Sequence, residues 1–165
     1  MITLEEFERI VSGHFNCLIE LGFVKHNAEA VLAMYYVPYI KNELLVRLEY
    51  SKKNDYIDVC IYNNISTVKP GVYSSKHSVS LGHLMYKYKP GYNDKQDYEA
   101  IMPKVIGFEK SVEELAKLAK QYAWDILLEK KWESWGAITN YKNPTSPEIN
   151  VYYEGKKVIH KPKEE

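Results

Sequence analysis

The chain has 165 residues, of which 22 are basic and 22 are acidic, so its formal net charge is zero. This length predicts one domain with its own core, and a hydrophobic content of 45% excludes a disordered chain. Balanced charge argues against a nucleic-acid partner, because neutralising phosphates requires a basic excess.

The sequence predicts a cytoplasmic protein that does not enter a membrane. It contains no run of about 18 apolar residues, the minimum for a membrane-spanning helix. The N-terminal stretch MITLEEFERI lacks a basic region followed by an apolar run, so no signal peptide is predicted. Cys17 and Cys60 are too few for a disulfide scaffold and are predicted to be free thiols.

The first predicted element is a helix over residues 4 to 21. Thr3 and Glu6 have the spacing of a capping box at its start, and apolar residues then recur at helical intervals. Gly22 is predicted to end the helix in a left-handed conformation, which lets Phe23 fold back onto it.

The next segment, residues 31 to 40, is apolar on both faces and predicts a strand, although a helix over residues 28 to 34 stays open. Pro38 predicts a sheet edge or a bulge, because proline cannot donate a ladder hydrogen bond. A tight turn is predicted at Lys41 and Asn42.

Strict alternation of apolar and polar residues predicts a hairpin of two strands, over residues 44 to 50 and 55 to 62. The preferred register sets Arg47 opposite Asp58. Slipping the strands by two residues would instead set Glu49 opposite Asp58, and like charges in that position are destabilising.

The middle of the chain is less regular. Residues 63 to 77 predict a loop, residues 78 to 88 are left open between helix and strand, and residues 98 to 105 predict a short helical piece. A second long helix is predicted to start at Ser111, with a capping box, and to continue to Trp132.

The chain ends in a predicted linker, marked by Pro144 and Pro147, and a small hairpin. We assign residues 1 to 165 to a single α+β domain, with residues 139 to 165 as peripheral linker and hairpin. The predicted architecture is an antiparallel β-sheet of about four to six strands, with an N-terminal helix and a long C-terminal helix packed on one face.

No catalytic motif is present. The sequence lacks a P-loop, the dinucleotide pattern GxGxxG, the nucleophile elbow GxSxG, the zinc motif HExxH and paired CxxC. It therefore predicts no catalytic residue, no metal site and no cofactor. Cys60, His77 and His83 could form a nucleophile–base pair only if they meet in the fold, so a small enzyme or ligand-binding domain with an unrecognised pocket stays an alternative.

Tyrosine is abundant, with 15 residues against 4 phenylalanines. Tyrosine and tryptophan are enriched in protein interfaces, because they combine a large area with a polar tip. Residues 85 to 92 interleave lysine with tyrosine, a pattern that single-stranded nucleic-acid binders also use. The predicted binding residues are Tyr56, Tyr62, Tyr86, Tyr88, Tyr92, Trp132 and Trp135.

Three stretches of the chain combine into a familiar layout: LIELGF at residues 18 to 23, the strand pair LLVRLEY and YIDVCIY within residues 44 to 62, and LEKKWESW at residues 128 to 135. This layout, over about residues 3 to 135, resembles small cytosolic immunity proteins that accompany bacterial polymorphic toxins. The resemblance implies a non-enzymatic protein that binds one toxin and blocks it. Balanced charge departs from the acidic surface of nuclease inhibitors and argues against a nuclease target.

The leading hypothesis is thus a non-enzymatic protein that binds another protein, and the candidate partner is a toxin. The sequence leaves the oligomeric state undetermined.

Overall fold

The computed structural model describes residues 1–66, 76–134 and 136, and the strand backbones of residues 149–153 and 156–160. Its architecture is mixed α+β, with a six-stranded antiparallel sheet and an N-terminal helix. This confirms the predicted fold class.

The chain begins with two helices, continues through the strands of the main sheet, returns to helices and ends in a hairpin. The first half contains α1 (Leu4–His14), α2 (Asn16–Glu20), β1 (Val24–Lys25), β2 (Glu29–Val31), β3 (Met34–Lys41), β4 (Leu44–Ser51) and β5 (Tyr56–Tyr62). The second half contains β6 (Ser78–Ser80), α3 (Leu81–Tyr88), α4 (Asp94–Asp97), a 3-10 turn (Glu99–Ile101), α5 (Pro103–Ile106), α6 (Phe108–Tyr122), α7 (Trp124–Leu127), β7 (Ile149–Tyr153) and β8 (Lys156–His160).

The sheet is built around the antiparallel strands β3, β4 and β5, in the order β1-β3-β4-β5-β6, with β2 also paired to β3. Strands β1 and β2 share the outer edge of β3, and Pro38 lies where one gives way to the other. The Pro38 carbonyl accepts a hydrogen bond from the His26 N–H on this side. The missing N–H of proline therefore falls at a break in the edge ladder, as the sequence predicts.

The N-terminal helix starts as predicted but is interrupted. The Thr3 side chain accepts from the Glu6 N–H at 3.2 Å, and the Glu6 carboxylate accepts from the Thr3 N–H at 3.0 Å. The helix then breaks at Phe15, whose side chain is 1% exposed, and α2 begins at the next residue. The single helix over residues 4 to 21 was therefore wrong in its middle, because burial of Phe15 overrides helix continuity.

The end of this helical region follows the prediction. Gly22 has a φ of 95°, and the Phe23 N–H donates to the Leu18 carbonyl at 2.9 Å. This is the hydrogen bond of a Schellman cap, and it places the 2% exposed Phe23 ring in the core.

Residues 28 to 34 are not helical, so that alternative is wrong. Strand β2 turns into β3 through Leu32, which has a φ of 54°. The next turn, predicted at Lys41 and Asn42, falls one residue later: Lys41 ends β3, and Asn42 has a φ of 51°.

The predicted register of the β4–β5 hairpin is also wrong. The strands set Arg47 opposite Cys60 and Glu49 opposite Asp58. The like-charge pair is tolerated because each carboxylate has another partner. Glu49 accepts from Arg47 on its own strand at 2.5 Å, and Asp58 lies 2.9 Å from the Tyr98 hydroxyl. Charge pairing across the hairpin alone could not reveal these contacts.

Residues 78 to 88, left open by the sequence, contain both structures: strand β6 and then α3. Residues 98 to 105 form the 3-10 turn and the start of α5, close to the short helical piece predicted. Within the predicted loop over residues 63 to 77, the described residues 63–66 and 76–77 form neither helix nor strand.

The second long helix differs from its prediction at both ends. Helix α6 begins at Phe108, after Gly107 with a φ of 88°, so Ser111 lies inside it and is fully buried. It ends at Tyr122, and α7 ends at Leu127, five residues before the predicted end at Trp132. The capping box read at Ser111 is thus a chance match.

The terminal hairpin agrees with its prediction, since β7 and β8 pair with each other in a separate two-stranded sheet. The predicted linker with Pro144 and Pro147 lies outside the described residues. None of the helices in the described ranges is long and apolar enough to cross a membrane.

The main core lies between the sheet and the helices. Each fully buried leucine, isoleucine or phenylalanine stabilises the fold by roughly 1.5–3 kcal/mol. The α1 and α6 helices, the three central strands and α3 all contribute, among others through Phe7, Val11, Val37, Leu48, Ile57, Leu84 and Leu115, none of which is more than 1% exposed.

Candidate functional site

Helix α3 carries two of the predicted binding residues, Tyr86 and Tyr88, and its start is tightly fixed. The Ser80 Oγ accepts from the His83 N–H at 3.3 Å and lies 2.8 Å from the His83 Nδ1. Burial lowers the pKa of His83 to about 4, so the ring is neutral and Nδ1 can accept from the Ser80 hydroxyl. Leu84 and Met85 are buried on one side of the helix, and Tyr86 is 64% exposed.

Four tyrosines form two ring pairs, one beside β5 and one at the exposed side of α3, and both pairs reach Gly82. The Tyr56 and Tyr98 ring centroids are 5.6 Å apart, and those of Tyr86 and Tyr92 are 6.4 Å apart. Tyr98 and Tyr92 both approach Gly82, since a Cβ added there would lie 3.9 Å from each side chain. We call Tyr56, Tyr98, Tyr92 and Tyr86 the tyrosine row.

Tyr98 anchors this row to the part of β5 that precedes its pairing with β6. Its hydroxyl lies 3.2 Å from the Ile57 carbonyl oxygen and 2.9 Å from the Asp58 Oδ1, so it can donate to either. The Ile57 N–H donates to the Met102 sulfur at 3.4 Å, and the Val59 N–H donates to Asp58 at 2.9 Å. Among the described residues no strand pairs with this edge, and side chains satisfy it instead.

The electrostatics of this anchor keep the tyrosines neutral. Burial, and next the Glu49 carboxylate opposite, raises the pKa of Asp58 to about 7. Burial also raises the pKa of Tyr98 well above its usual value. Tyr98 therefore stays a hydroxyl donor at every physiological pH.

Sequence reasoning missed Tyr98, which follows the polar run of α4. A weak sequence signal for its burial was present, since Tyr98, Ile101 and Met102 have the spacing of one apolar face of a short helix. Tyr98 is 1% exposed and Met102 is fully buried. Segment 93–97 contributes no buried residue of its own, so the buried Tyr98 that follows it and the Lys89–Asp97 ion pair hold it to the fold.

Tyr88 and Trp132 make up a second group of predicted binding residues, and each is held by its own polar contacts. The Tyr88 hydroxyl donates to Glu133, which also binds Lys87. The Lys87 and Lys131 ammonium groups lie 5.0 and 4.7 Å from the centre of the Tyr88 ring. The Trp132 indole N–H donates to the Lys76 carbonyl at 3.0 Å.

The remaining two predicted binding residues do not join either group. Tyr62 is 6% exposed, and its hydroxyl accepts from Arg47 at 3.2 Å. Arg47 itself is 4% exposed and lies over the rings of Tyr36 and Tyr62. Tyr62 thus belongs to a buried polar cluster on the sheet. Trp135 lies outside the described residues.

The three residues considered for nucleophilic chemistry lie in the same region but form no nucleophile–base contact among the described residues. Cys60 faces Ser80 across β5 and β6, yet burial, Asp58 and Glu49 raise the pKa of its thiol well above the usual value. The His77 Nδ1 lies 3.1 Å from the Asn63 Oδ1 instead. This arrangement disfavours the thiolate that a nucleophile requires.

Within the part of the chain that the structure describes, no group of three or more histidine, cysteine, aspartate or glutamate side chains could hold a metal ion. Comparison of the chain with models of protein families, with curated proteins and with solved structures found no match. The inference of function therefore rests on the surface chemistry of the tyrosine row.

Proposed function

We propose that this chain is a non-enzymatic protein-binding protein that uses the tyrosine row, and that it acts as an immunity-type inhibitor of a toxin, as its layout implies. The observation that carries the proposal is Tyr86, which is 64% exposed while its ring is held edge-to-face by Tyr92. Exposed yet positioned tyrosines are typical anchors of protein interfaces.

Pre-organisation supports this choice of surface. Helix α3 is fixed by its Ser80 cap and by the buried Leu84 and Met85, and the Tyr92 hydroxyl is held by Asp94 at 2.8 Å. A partner would therefore not have to order these side chains on binding, which otherwise costs about 0.5–1.5 kcal/mol for each one.

The charges around the row favour a protein partner over single-stranded nucleic acid. The lysines that alternate with the tyrosines are already paired with carboxylates, Lys87 with Glu133 and Lys89 with Asp97. Paired lysines offer little counterion release, which is the main source of affinity for a phosphate backbone. A mixed-charge rim around aromatic side chains suits a protein surface.

The test starts with co-purification of the tagged chain from its source cell, with partners identified by mass spectrometry. The candidate is then purified and its dissociation constant for the chain is measured. We expect a stoichiometric complex that Tyr86→Ala weakens by about tenfold or more, as for an interface hot spot. Gln121→Ala, at an exposed site of α6, is the control and should leave affinity unchanged.

A toxin partner adds a second readout. Expression of the partner should arrest growth, and co-expression of this chain should restore it, whereas the Tyr86→Ala chain should restore it less. The absence of any stoichiometric protein partner would contradict the proposal, as would turnover of a small substrate by the purified chain.

A further inference from the structure

The exposed end of the tyrosine row has the shape of a corner. The rings of Tyr86 and Tyr92 are nearly perpendicular, with an interplanar angle of 87° and centroids 6.4 Å apart. In such a pair the edge of one ring meets the face of the other, and two aromatic faces remain at right angles. We call the Tyr86 and Tyr92 pair the aromatic corner.

Other tyrosines of this protein show what such faces attract. Tyr35 lies under Lys52 at 4.7 Å, Tyr36 under Arg47 at 4.4 Å, and Tyr88 between Lys87 and Lys131. The chain thus places its own cations over several aromatic faces, where the negative face of the ring attracts positive charge. Among the described residues, no lysine or arginine lies over Tyr86 or Tyr92.

The surroundings of the aromatic corner are suited to a cation. The Tyr92 hydroxyl donates to the Asp94 carboxylate at 2.8 Å, which brings a negative charge to the end of this ring. The two lysines between Tyr86 and Tyr92 in the sequence are held by carboxylates, Lys87 by Glu133 and Lys89 by Asp97. An incoming positive group would meet two ring faces and an exposed carboxylate.

We infer that the aromatic corner receives a cationic side chain, an arginine or a lysine, from the protein partner. This inference rests on the proposed function and names the partner's contacting chemistry. The cation lies against the face of Tyr86 with Asp94 nearby, as the chain's own lysines lie against Tyr88.

Blocked amino acids test the aromatic corner without a known partner. The ring resonances of Tyr86 and Tyr92 are followed by NMR during titration with N-acetyl-arginine amide, N-acetyl-lysine amide and N-acetyl-citrulline amide. Citrulline matches arginine in shape but carries no charge. We expect at least one cationic probe to bind about two- to five-fold tighter than citrulline, the range of an exposed cation–π contact.

Variants locate the binding. Tyr86→Ala should abolish the preference for the cationic probes, and Asp94→Asn should weaken it, whereas Gln121→Ala should preserve it. The Tyr88 ring, which already carries two lysines of this chain, should not shift. Equal binding of citrulline and both cationic probes, or no shift at Tyr86 and Tyr92, would overturn the inference.

The two ideas can fail separately. If Tyr86→Ala weakens the partner complex but the aromatic corner shows no preference for charge, the proposed function stands and the cation inference is wrong. If the aromatic corner selects cations but the partner complex is unaffected by Tyr86→Ala, the proposed use of the tyrosine row is wrong, and of the inference only the preference of the aromatic corner for cations stands.

Discussion

Glu49 and Asp58 are directly opposite each other in the register of β4 and β5, although their carboxylates have different partners. Glu49 accepts from the Arg47 guanidinium at 2.5 Å, while Asp58 is held by the Tyr98 hydroxyl and the Val59 N–H. A second negative charge opposite Glu49 is unfavourable. The Glu49 carboxylate therefore raises the pKa of Asp58 beyond the effect of burial alone.

This arrangement predicts a pH-dependent stability that Asp58→Asn removes. The pKa of Asp58 is about 7 in the fold against 3.8 for the free group, so ionisation opposes folding. Its contribution to the free energy of unfolding therefore falls as pH rises from about 4 through about 7 and stays low above that. Asparagine keeps an oxygen acceptor for Tyr98 and Val59 without the charge.

We expect Asp58→Asn to be about 1–3 kcal/mol more stable than the parent chain at pH 8 and nearly equal to it at pH 4. Denaturant unfolding at both pH values measures this. Asp125→Asn, at an exposed site of α7, serves as the control and should not change the pH profile. Parallel profiles for Asp58→Asn and the parent chain would contradict the assignment.

Arg47 is predicted to be required mainly as the counter-charge of Glu49. Arg47 is 4% exposed and the Glu49 side chain 14%, so removal of Arg47 leaves a largely buried carboxylate without its cation. Arg47→Met should lower the free energy of unfolding by about 3–5 kcal/mol. The double variant Arg47→Met with Glu49→Gln should recover part of this loss, because no uncompensated charge remains.

Calorimetric or denaturant unfolding of the two variants decides between charge and packing. A double variant as unstable as Arg47→Met alone would mean that the contacts of Arg47 with the Tyr36 and Tyr62 rings dominate instead.

The Tyr98 hydroxyl is predicted to stabilise the open edge of β5. Tyr98→Phe keeps the buried ring but removes the donor to Ile57 and Asp58, and should cost about 1–2 kcal/mol. Tyr56→Phe is the matched control, since the structure gives its hydroxyl no hydrogen bond among the described residues. Amide hydrogen exchange should also quicken in residues 93–97 of the Tyr98→Phe chain, but not in the control.

Leu32 is predicted to lower the stability of the fold. Its side chain is 78% exposed, and its φ of 54° is unfavourable for a residue with a Cβ. Leu32→Gly should therefore raise the free energy of unfolding by up to about 1 kcal/mol, after the entropy cost of glycine is subtracted. Leu32→Ala keeps the Cβ and should show no such gain in thermal unfolding. Equal behaviour of the two variants would contradict backbone strain as the cause.

The sequence by itself determined the features that depend on neighbours within a few residues. The Thr3 and Glu6 capping box, the Gly22 cap and the terminal hairpin were read correctly, because spacing and backbone preference within one turn decide them. The alternating strands gave the α+β class for the same reason. The false capping box at Ser111 shows the limit, since burial of that face of α6 outweighs a local pattern.

Only the tertiary structure decided how distant segments meet. Tyr98 and Asp58 are 40 residues apart, and their contact supports the observed β4–β5 register and anchors the tyrosine row. The break at Phe15 likewise follows from where its ring can be buried. A local pattern shows that a side chain is apolar or charged, but its partner is set by packing across the whole core, and this is why Tyr62 became part of a buried cluster while Tyr86 stayed on the surface.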